Sequence, residues 1–316
     1  MNDLFIVSAP FQLLSAIEAK HFFKTQNSTI IYSKELENSL DFVNWNRKIE
    51  FPKSEKKSNF KNSLKFVKEL KTEEFRYIFV GDFFSKSRSY LQRILSSNLK
   101  SEKVIFLDDG ILTTLQNLQN GFNGETHFWK LFRWKIFGYK TSLKDFSLFT
   151  VLNIEKESLE IFKNDFSFFK SLAEKDFVEK PENFYFIGSA KFETWKMSEE
   201  NFENFMKKVF AFAQKHQNIY FVPHRHCSQK SLKIVQKIGF QVLKFSKPIE
   251  FEFLERKEKP VNIASATSTA LLSLKVIFEP QNVFSFKVPE NEVRKDRVEG
   301  MQNLYKTFSD FGIDLI

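Results

Sequence analysis

Cysteine is almost absent from this chain: Cys227 is the only one in 316 residues. A single thiol excludes an intrachain disulfide and a zinc site built mainly from cysteine, and it suits a reducing compartment. Glycine is nearly as scarce, with 9 residues, and neither GxGxxG nor GxxxxGK[ST] occurs. The glycine-rich cradles for dinucleotides and nucleoside triphosphates are therefore missing. No apolar run approaches the roughly 18 residues that a membrane-spanning helix needs. The start, Met1-Asn2-Asp3-Leu4, has neither the basic opening nor the apolar stretch of a signal peptide. A cytoplasmic location is expected.

What the chain has instead is phenylalanine and positive charge. There are 41 Phe residues, and hydrophobic residues reach 42%, enough for two cores in place of one. The simplest reading is that Phe fills positions where Leu would serve. The net charge of +9 points to an acidic partner: nucleic acid, an anionic membrane surface or an anionic substrate. Nucleic acid has the least support, because no zinc-finger spacing or aromatic RNA-binding signature is present.

Strand and helix patterns alternate, which predicts doubly wound α/β sheets. Leu4-Phe5-Ile6-Val7 reads as a buried parallel strand, and Pro10 suits the first position of the helix after it. Further strands are expected at 29–32, 77–80 and 104–107, with helices at 60–70 and 87–96 between them. A helical pattern over 155–172 closes this half. The polar stretch 174–183, with Pro181, reads as a linker, so two domains are expected, 1–175 and 176–316. In the second, strands are expected at 184–187, 219–222, 240–243, 260–264 and 276–278. Helices are expected at 199–215, 229–238 and from Thr269. A last helix, 299–311, is expected to pack back on the first domain. Two such domains place a ligand in the cleft they face, beyond the carboxyl ends of the strands.

Three polar clusters stand at strand ends. Asp108-Asp109-Gly110 puts two carboxylates beside a residue that permits a sharp turn; the pair serves acid–base chemistry or simply caps the next helix. Val222-Pro223-His224-Arg225-His226-Cys227 offers a titratable ring and a permanent cation for a phosphate. The residues His224, His226 and Cys227 are spaced too tightly for a usual zinc site, and no metal is expected. Ser265-Ala266-Thr267-Ser268-Thr269 opens a helix, where hydroxyls and unpaired N–H groups either cradle a phosphate or cap the helix.

Together and in this order, the three clusters resemble the bacterial sialyltransferases, specifically glycosyltransferase family 52 and the capsular polysialyltransferases. The marks of that group are a paired acidic residue followed by Gly, a His-Pro motif and a Ser-Ser/Thr motif. Here they look like Asp108-Asp109-Gly110, Pro223-His224 and Ser268-Thr269. Ser8-Ala9-Pro10-Phe11-Gln12 and Phe186-Ile187-Gly188-Ser189 resemble the first turn of each half. In this chain Pro precedes the His, which leaves His226 as a second candidate.

The resemblance implies two Rossmann-like domains facing a central cleft, the architecture called GT-B. It also implies an inverting, metal-independent transfer from a CMP-linked sialic or related nonulosonic acid to a glycan, with no cofactor. Asp109 or Asp108 would be the base, with Asp109 favoured, and His224 would assist the leaving phosphate. Ser268, Thr269, Arg225, Gly188 and Ser189 would lie on the donor side, and Pro10, Gln12 and Gly110 on the acceptor side. Another GT-B transferase using CMP-Kdo, UDP- or GDP-sugars, and a basic membrane-surface protein without catalysis, are the alternatives. Residues 128–139 mix bulky aromatics with three cations, as in helices that lie on an anionic inner membrane surface or pack in a core with their cations turned outward.

Overall fold

The computed structural model describes residues 2–52, 59–82, 89–110, 128–143, 145–174, 176–189 and 197–316. Its internal contacts divide the chain into two units, Met1–Phe168 and Phe169–Ile316. Each is built on one parallel sheet with helices between strands.

The first unit holds β1 (Asn2–Val7), α1 (Pro10–Phe22), β2 (Ser28–Tyr32), β3 (Arg47–Glu50), α2 (Asn59–Leu70), β4 (Glu74–Val80) and α3 (Ser89–Asn98). It continues with β5 (Lys100–Leu107), α4 (Phe128–Ile136), β6 (Ser147–Thr150), β7 (Ile161–Lys163) and the start of α5 (Ser167–Ala173). The sheet order is β3-β2-β1-β4-β5-β6-β7, and every neighbouring pair is parallel. A central parallel strand is covered on both faces, so it reads as an unbroken apolar run. Leu4, Phe5, Ile6 and Val7 are accordingly all fully buried. Phe5 stacks on Phe79 of its neighbour β4 with ring centroids 4.5 Å apart.

The second unit holds β8 (Val178–Ile187), α6 (Glu199–Ala213), β9 (Asn218–Val222), α7 (Gln229–Ile238), β10 (Gln241–Val242), α8 (Ile249–Arg256) and β11 (Glu258–Ser265). α9 (Ala270–Phe278), β12 (Asn282–Ser285), α10 (Val298–Asp310) and β13 (Asp314–Leu315) complete it. Its sheet order is β10-β9-β8-β11-β12-β13, again parallel throughout. Phe184, Phe186, Phe221, Phe251 and Phe253 are among its largest fully buried side chains, so phenylalanine fills this core as it fills the first. The last helix falls in this unit, where the Tyr305 hydroxyl accepts the Val288 N–H at 2.9 Å.

The two doubly wound parallel sheets are as the alternation of patterns implied. Three local expectations fail. The strand expected at 276–278 is the last turn of α9, and the strand lies further on, at Asn282–Ser285. A buried helix that is apolar on most sides cannot be told from a buried strand by periodicity. The helix expected over 155–172 is a strand, β7, followed by the short α5. Between them Phe166 adopts φ +54°, which no helix interior accommodates. The linker expected at 174–183 already contains the first residues of β8, whose polar start pairs with Glu258–Pro260 on β11. Among the described residues no helix is long and apolar enough to cross a membrane.

Candidate functional site

In an open α/β sheet the ligand crevice forms at the point where strand order reverses. In the first sheet that point lies between β1 and β4, since β2 and β3 extend one way from β1 and β4 to β7 the other. The residues just past those strand ends are Ser8 and Gly81-Asp82, with Asp108 and Asp109 one strand further.

Gln12 organises this crevice. It sits at the third position of α1, is 1% exposed, and turns its amide back toward the strand end. Its Oε1 accepts the Ser8 N–H at 2.6 Å and the Ser8 hydroxyl at 3.3 Å. This resembles a capping box, in which a side chain in the first turn satisfies an N–H before the helix. Its Nε2 donates to Asp109 Oδ1. Behind it, Gln92 Nε2 donates to Ser8 Oγ at 2.9 Å while Gln92 Oε1 accepts the Asp82 N–H, also at 2.9 Å. The chain Gln92–Ser8–Gln12–Asp109 therefore donates in one direction and ends on the Asp109 carboxylate. Gly81 is part of the device: a Cβ there would lie 2.4 Å from the Gln12 amide carbon.

The two adjacent carboxylates are put to different uses, as opposite side-chain directions in extended chain require. Asp108 is 2% exposed and turned sideways into the sheet edge. Its Oδ1 accepts the Thr150 hydroxyl at 2.6 Å and its Oδ2 accepts the Val151 N–H at 2.7 Å, so it fastens the end of β5 to the end of β6. Asp109 is half-buried and faces Gln12. Gly110 follows at φ +112°, a conformation that side chains rarely adopt, and Pro10 occupies the first turn of α1. Replacing Asp108 by Ala should thus act on folding. Two buried donors lose their acceptor, which costs about 1–3 kcal/mol, read as a lower urea midpoint at unchanged slope.

In the second sheet the reversal lies between β8 and β11. Here hydroxyls converge. Ser189 Oγ and Thr267 Oγ1 are 2.8 Å apart and both are buried. Ser265, fully buried, donates to the Ile187 carbonyl at 2.7 Å and accepts the Ser268 N–H at 3.1 Å. Ser268 Oγ accepts the Ala270 N–H at 3.3 Å, so its hydroxyl caps α9 and keeps its own proton to donate. Thr269 makes no capping bond. α9 is anchored from below by Ser273, whose hydroxyl donates to Glu250 on α8. Glu250 is enclosed, and that burial raises its pKa.

His224 lies past the end of β9, beside β8, where the Gly188 N–H donates to the Val222 carbonyl at 2.8 Å. The Nδ1 of its ring accepts the His226 N–H at 3.1 Å, so the neutral ring carries its proton on Nε2. Burial, with Arg225 and then His226 adding to it, pushes the His224 pKa down to about 4. His224 is therefore a neutral Nε2–H donor at neutral pH. Arg225 and His226 are exposed. Cys227 turns its thiol toward the Ser228 carbonyl at 3.8 Å, and among the described residues no three His, Cys, Asp or Glu side chains gather as metal ligands.

The structure thus brings Gln12 to Asp109 in one unit. In the other it joins Ser189 to the Ser265–Thr269 turn and Gly188 to the strand end that carries His224. Sequence reasoning did not single out Gly81, Gln92 or Thr150. Each works through a partner at least 42 residues away in sequence, and no local pattern marks such a pairing.

No family model and no curated protein matches this chain. Solved structures do. A UDP-GlcNAc 2-epimerase from Methanocaldococcus jannaschii aligns over 98% of this chain and 92% of its own, with 14% identity and a TM-score of 0.53. A putative UDP-N-acetylglucosamine 2-epimerase from Listeria monocytogenes covers 98% and 89%, with 11% identity and a TM-score of 0.55. The S. aureus MnaA–UDP co-structure covers 99% and 88%, with 12% identity and a TM-score of 0.55. At such identities the likeness defines architecture. This chain has the two parallel-sheet α/β domains of the GT-B fold.

Proposed function

We propose that the chain is an inverting glycosyltransferase that moves a sialic or related nonulosonic acid from a CMP-linked donor to a glycan hydroxyl. The observation that carries this reading is Asp109, a carboxylate one strand from the strand-order reversal, with one oxygen held by the buried Gln12 amide. A carboxylate oriented in this way suits a general base. Asp109 takes the proton of the acceptor hydroxyl as that oxygen bonds to the anomeric carbon. The bond from that carbon to the phosphate oxygen breaks, and its electron pair leaves with CMP. Metal-free departure is supported by donors in the second unit: the His224 Nε2–H and the hydroxyls of Ser268 and Thr269 at the start of α9, whose first N–H groups are themselves taken up by Ser268 and Thr269. Nonulosonic acids carry a carboxylate on the anomeric carbon, and both Arg225 and the net charge of +9 suit so acidic a donor. In this reading Gln12 positions the base and does not contact the acceptor.

A second reading takes a UDP-sugar, since the S. aureus MnaA structure holds UDP and the two epimerases are described as acting on UDP-GlcNAc. Melting temperature separates the two. A nucleotide at about 100 times its dissociation constant stabilises the folded protein by about 2.7 kcal/mol. CMP should raise the melting temperature by several degrees and UDP should not, and Thr269→Ala should weaken the CMP response without lowering the unliganded value. A response to UDP alone would transfer the protein to the second reading.

A further inference from the structure

The helix α4 and the turn after it carry three exposed large apolar side chains. Leu131 and Trp134 point into the core of the first unit, and Tyr139 follows them inward after the turn at Gly138. Phe132, Ile136 and Phe137, by contrast, are 42%, 67% and 55% exposed. Phe132 and Ile136 stand four residues apart on one side of the helix, and Phe137 follows in the turn at its C-terminal end. Exposed large apolar side chains grouped this closely mark an interaction surface more often than chance scatter does.

Along the helix and the turn after it the charge has one sign. From Phe128 to Lys144 the sequence carries five cations and no carboxylate. Arg133, Lys135 and Lys140 are exposed around the apolar group. The neighbouring helix α2 extends the surface: Phe60 meets Trp134 and Phe137 with ring centroids 4.9 and 5.2 Å apart, and the Arg133 guanidinium lies 5.1 Å above the Phe60 ring. α2 adds exposed Lys61, Lys65 and Lys68, of which only Lys65 has an ion pair among the described contacts, with Glu69 at 3.7 Å.

We propose that this face docks on an anionic lipid bilayer, with Phe132, Ile136 and Phe137 entering the headgroup boundary and the surrounding cations meeting lipid phosphates. The charge selects the partner. A second copy of the chain would bring like-charged surfaces together, and an acidic protein or nucleic acid would leave the apolar centre without a matching phase. A bilayer supplies both the negative surface and the apolar interior. The inference stands apart from the reading of the two strand-end clusters, because its test measures adsorption and not turnover.

The test is flotation of the full chain with vesicles of phosphatidylglycerol and phosphatidylcholine, against vesicles of phosphatidylcholine alone. The chain should float with the anionic vesicles, and raising the salt to about 0.5 M, where screening acts within a few ångströms, should release it. The triple change Phe132→Ser, Ile136→Ser and Phe137→Ser touches exposed side chains, so its melting temperature should hold while adsorption falls at least about tenfold. Each basic residue near an anionic surface strengthens binding about fivefold. Lys135→Glu with Lys140→Glu should then weaken adsorption on the order of 10²-fold. Three outcomes overturn the proposal: no flotation of the unaltered chain with anionic vesicles, equal flotation of the triple variant, or a dimer in solution that the triple variant converts to monomer. Retention on duplex DNA that the triple variant leaves unchanged, together with absent flotation, would assign the charge to nucleic acid.

Discussion

Asp109→Asn should give a folded protein that still binds nucleotide but transfers sugar at least about 10²-fold more slowly. The substitution is nearly isosteric and keeps an oxygen that can accept from Gln12 Nε2, so the Gln92–Ser8–Gln12 chain stays in place. What is lost is the ability to take a proton. The neighbouring residue makes the control. Asp108 lies within two hydrogen bonds to β6, so Asp108→Asn should lower the unfolding midpoint while the remaining folded enzyme turns over nearly normally. Gly81→Ala provides a further handle that leaves both carboxylates untouched. Its Cβ would overlap the Gln12 amide, so the amide must leave Asp109, and turnover should fall without loss of nucleotide binding. Normal transfer by Asp109→Asn together with a dead but folded Asp108→Asn would move the base to Asp108. Normal transfer by both would remove the transferase reading itself.

The parts of this architecture that were legible in the sequence are those where burial acts on consecutive residues. β1 is central and covered on both faces, so Leu4 to Val7 had to be apolar without interruption. Polar residues following such runs then read as strand-end residues, and Asp108, Asp109, His224 and the Ser265–Thr269 turn do stand at the ends of β5, β9 and β11. Elements at the sheet edge gave no such signal. β3 is Arg-Lys-Ile-Glu, paired only to β2, and none of its residues is buried, so nothing distinguishes it from a loop. β7 is three residues long and β13 two, too short for a period to register. Function assigned to residues also outran what spacing can show. Ser8 and Gln92 are 84 residues apart and Ser189 and Thr267 are 78 apart, yet each pair is within 2.9 Å. The resemblance implies a place for Gln12 on the acceptor side. Its direction, inward onto Ser8 and Asp109, depends on a glycine 69 residues later that makes room for it.

His224→Ala should cost about 10² to 10³ in turnover, the usual effect of removing one hydrogen-bond donor from a site of developing negative charge. His226→Ala, at an exposed ring, should cost far less, and the reverse ranking would transfer the role. The protonation state sharpens the test. With its pKa held down to about 4, the His224 ring of the unliganded protein is neutral from pH 5 to 8, so kcat/KM, which reports the free enzyme, should show no inflection near the ordinary histidine value of about 6.5 from this residue. Stability has the opposite sensitivity. The unfolded chain takes up a proton on this ring below about pH 6.5 while the folded chain does not until about 4, so folding stability falls across that interval as pH falls, and less so in His224→Gln. A bound phosphate reverses the balance locally. Its negative charge favours the imidazolium, so the ring's pKa in the complex must exceed its value in the unliganded protein. By linkage, protonation then strengthens binding, and nucleotide affinity should rise as pH falls toward 4 and level off below it. The phosphate's own ionisation is common to both proteins, so the ratio of CMP affinities between the unaltered chain and His224→Gln isolates the ring. That ratio should grow as the pH is lowered from 7 to 4. A ratio that stays constant over the same range would mean that His224 does not touch the phosphate, and its part in the leaving-group chemistry would have to be withdrawn.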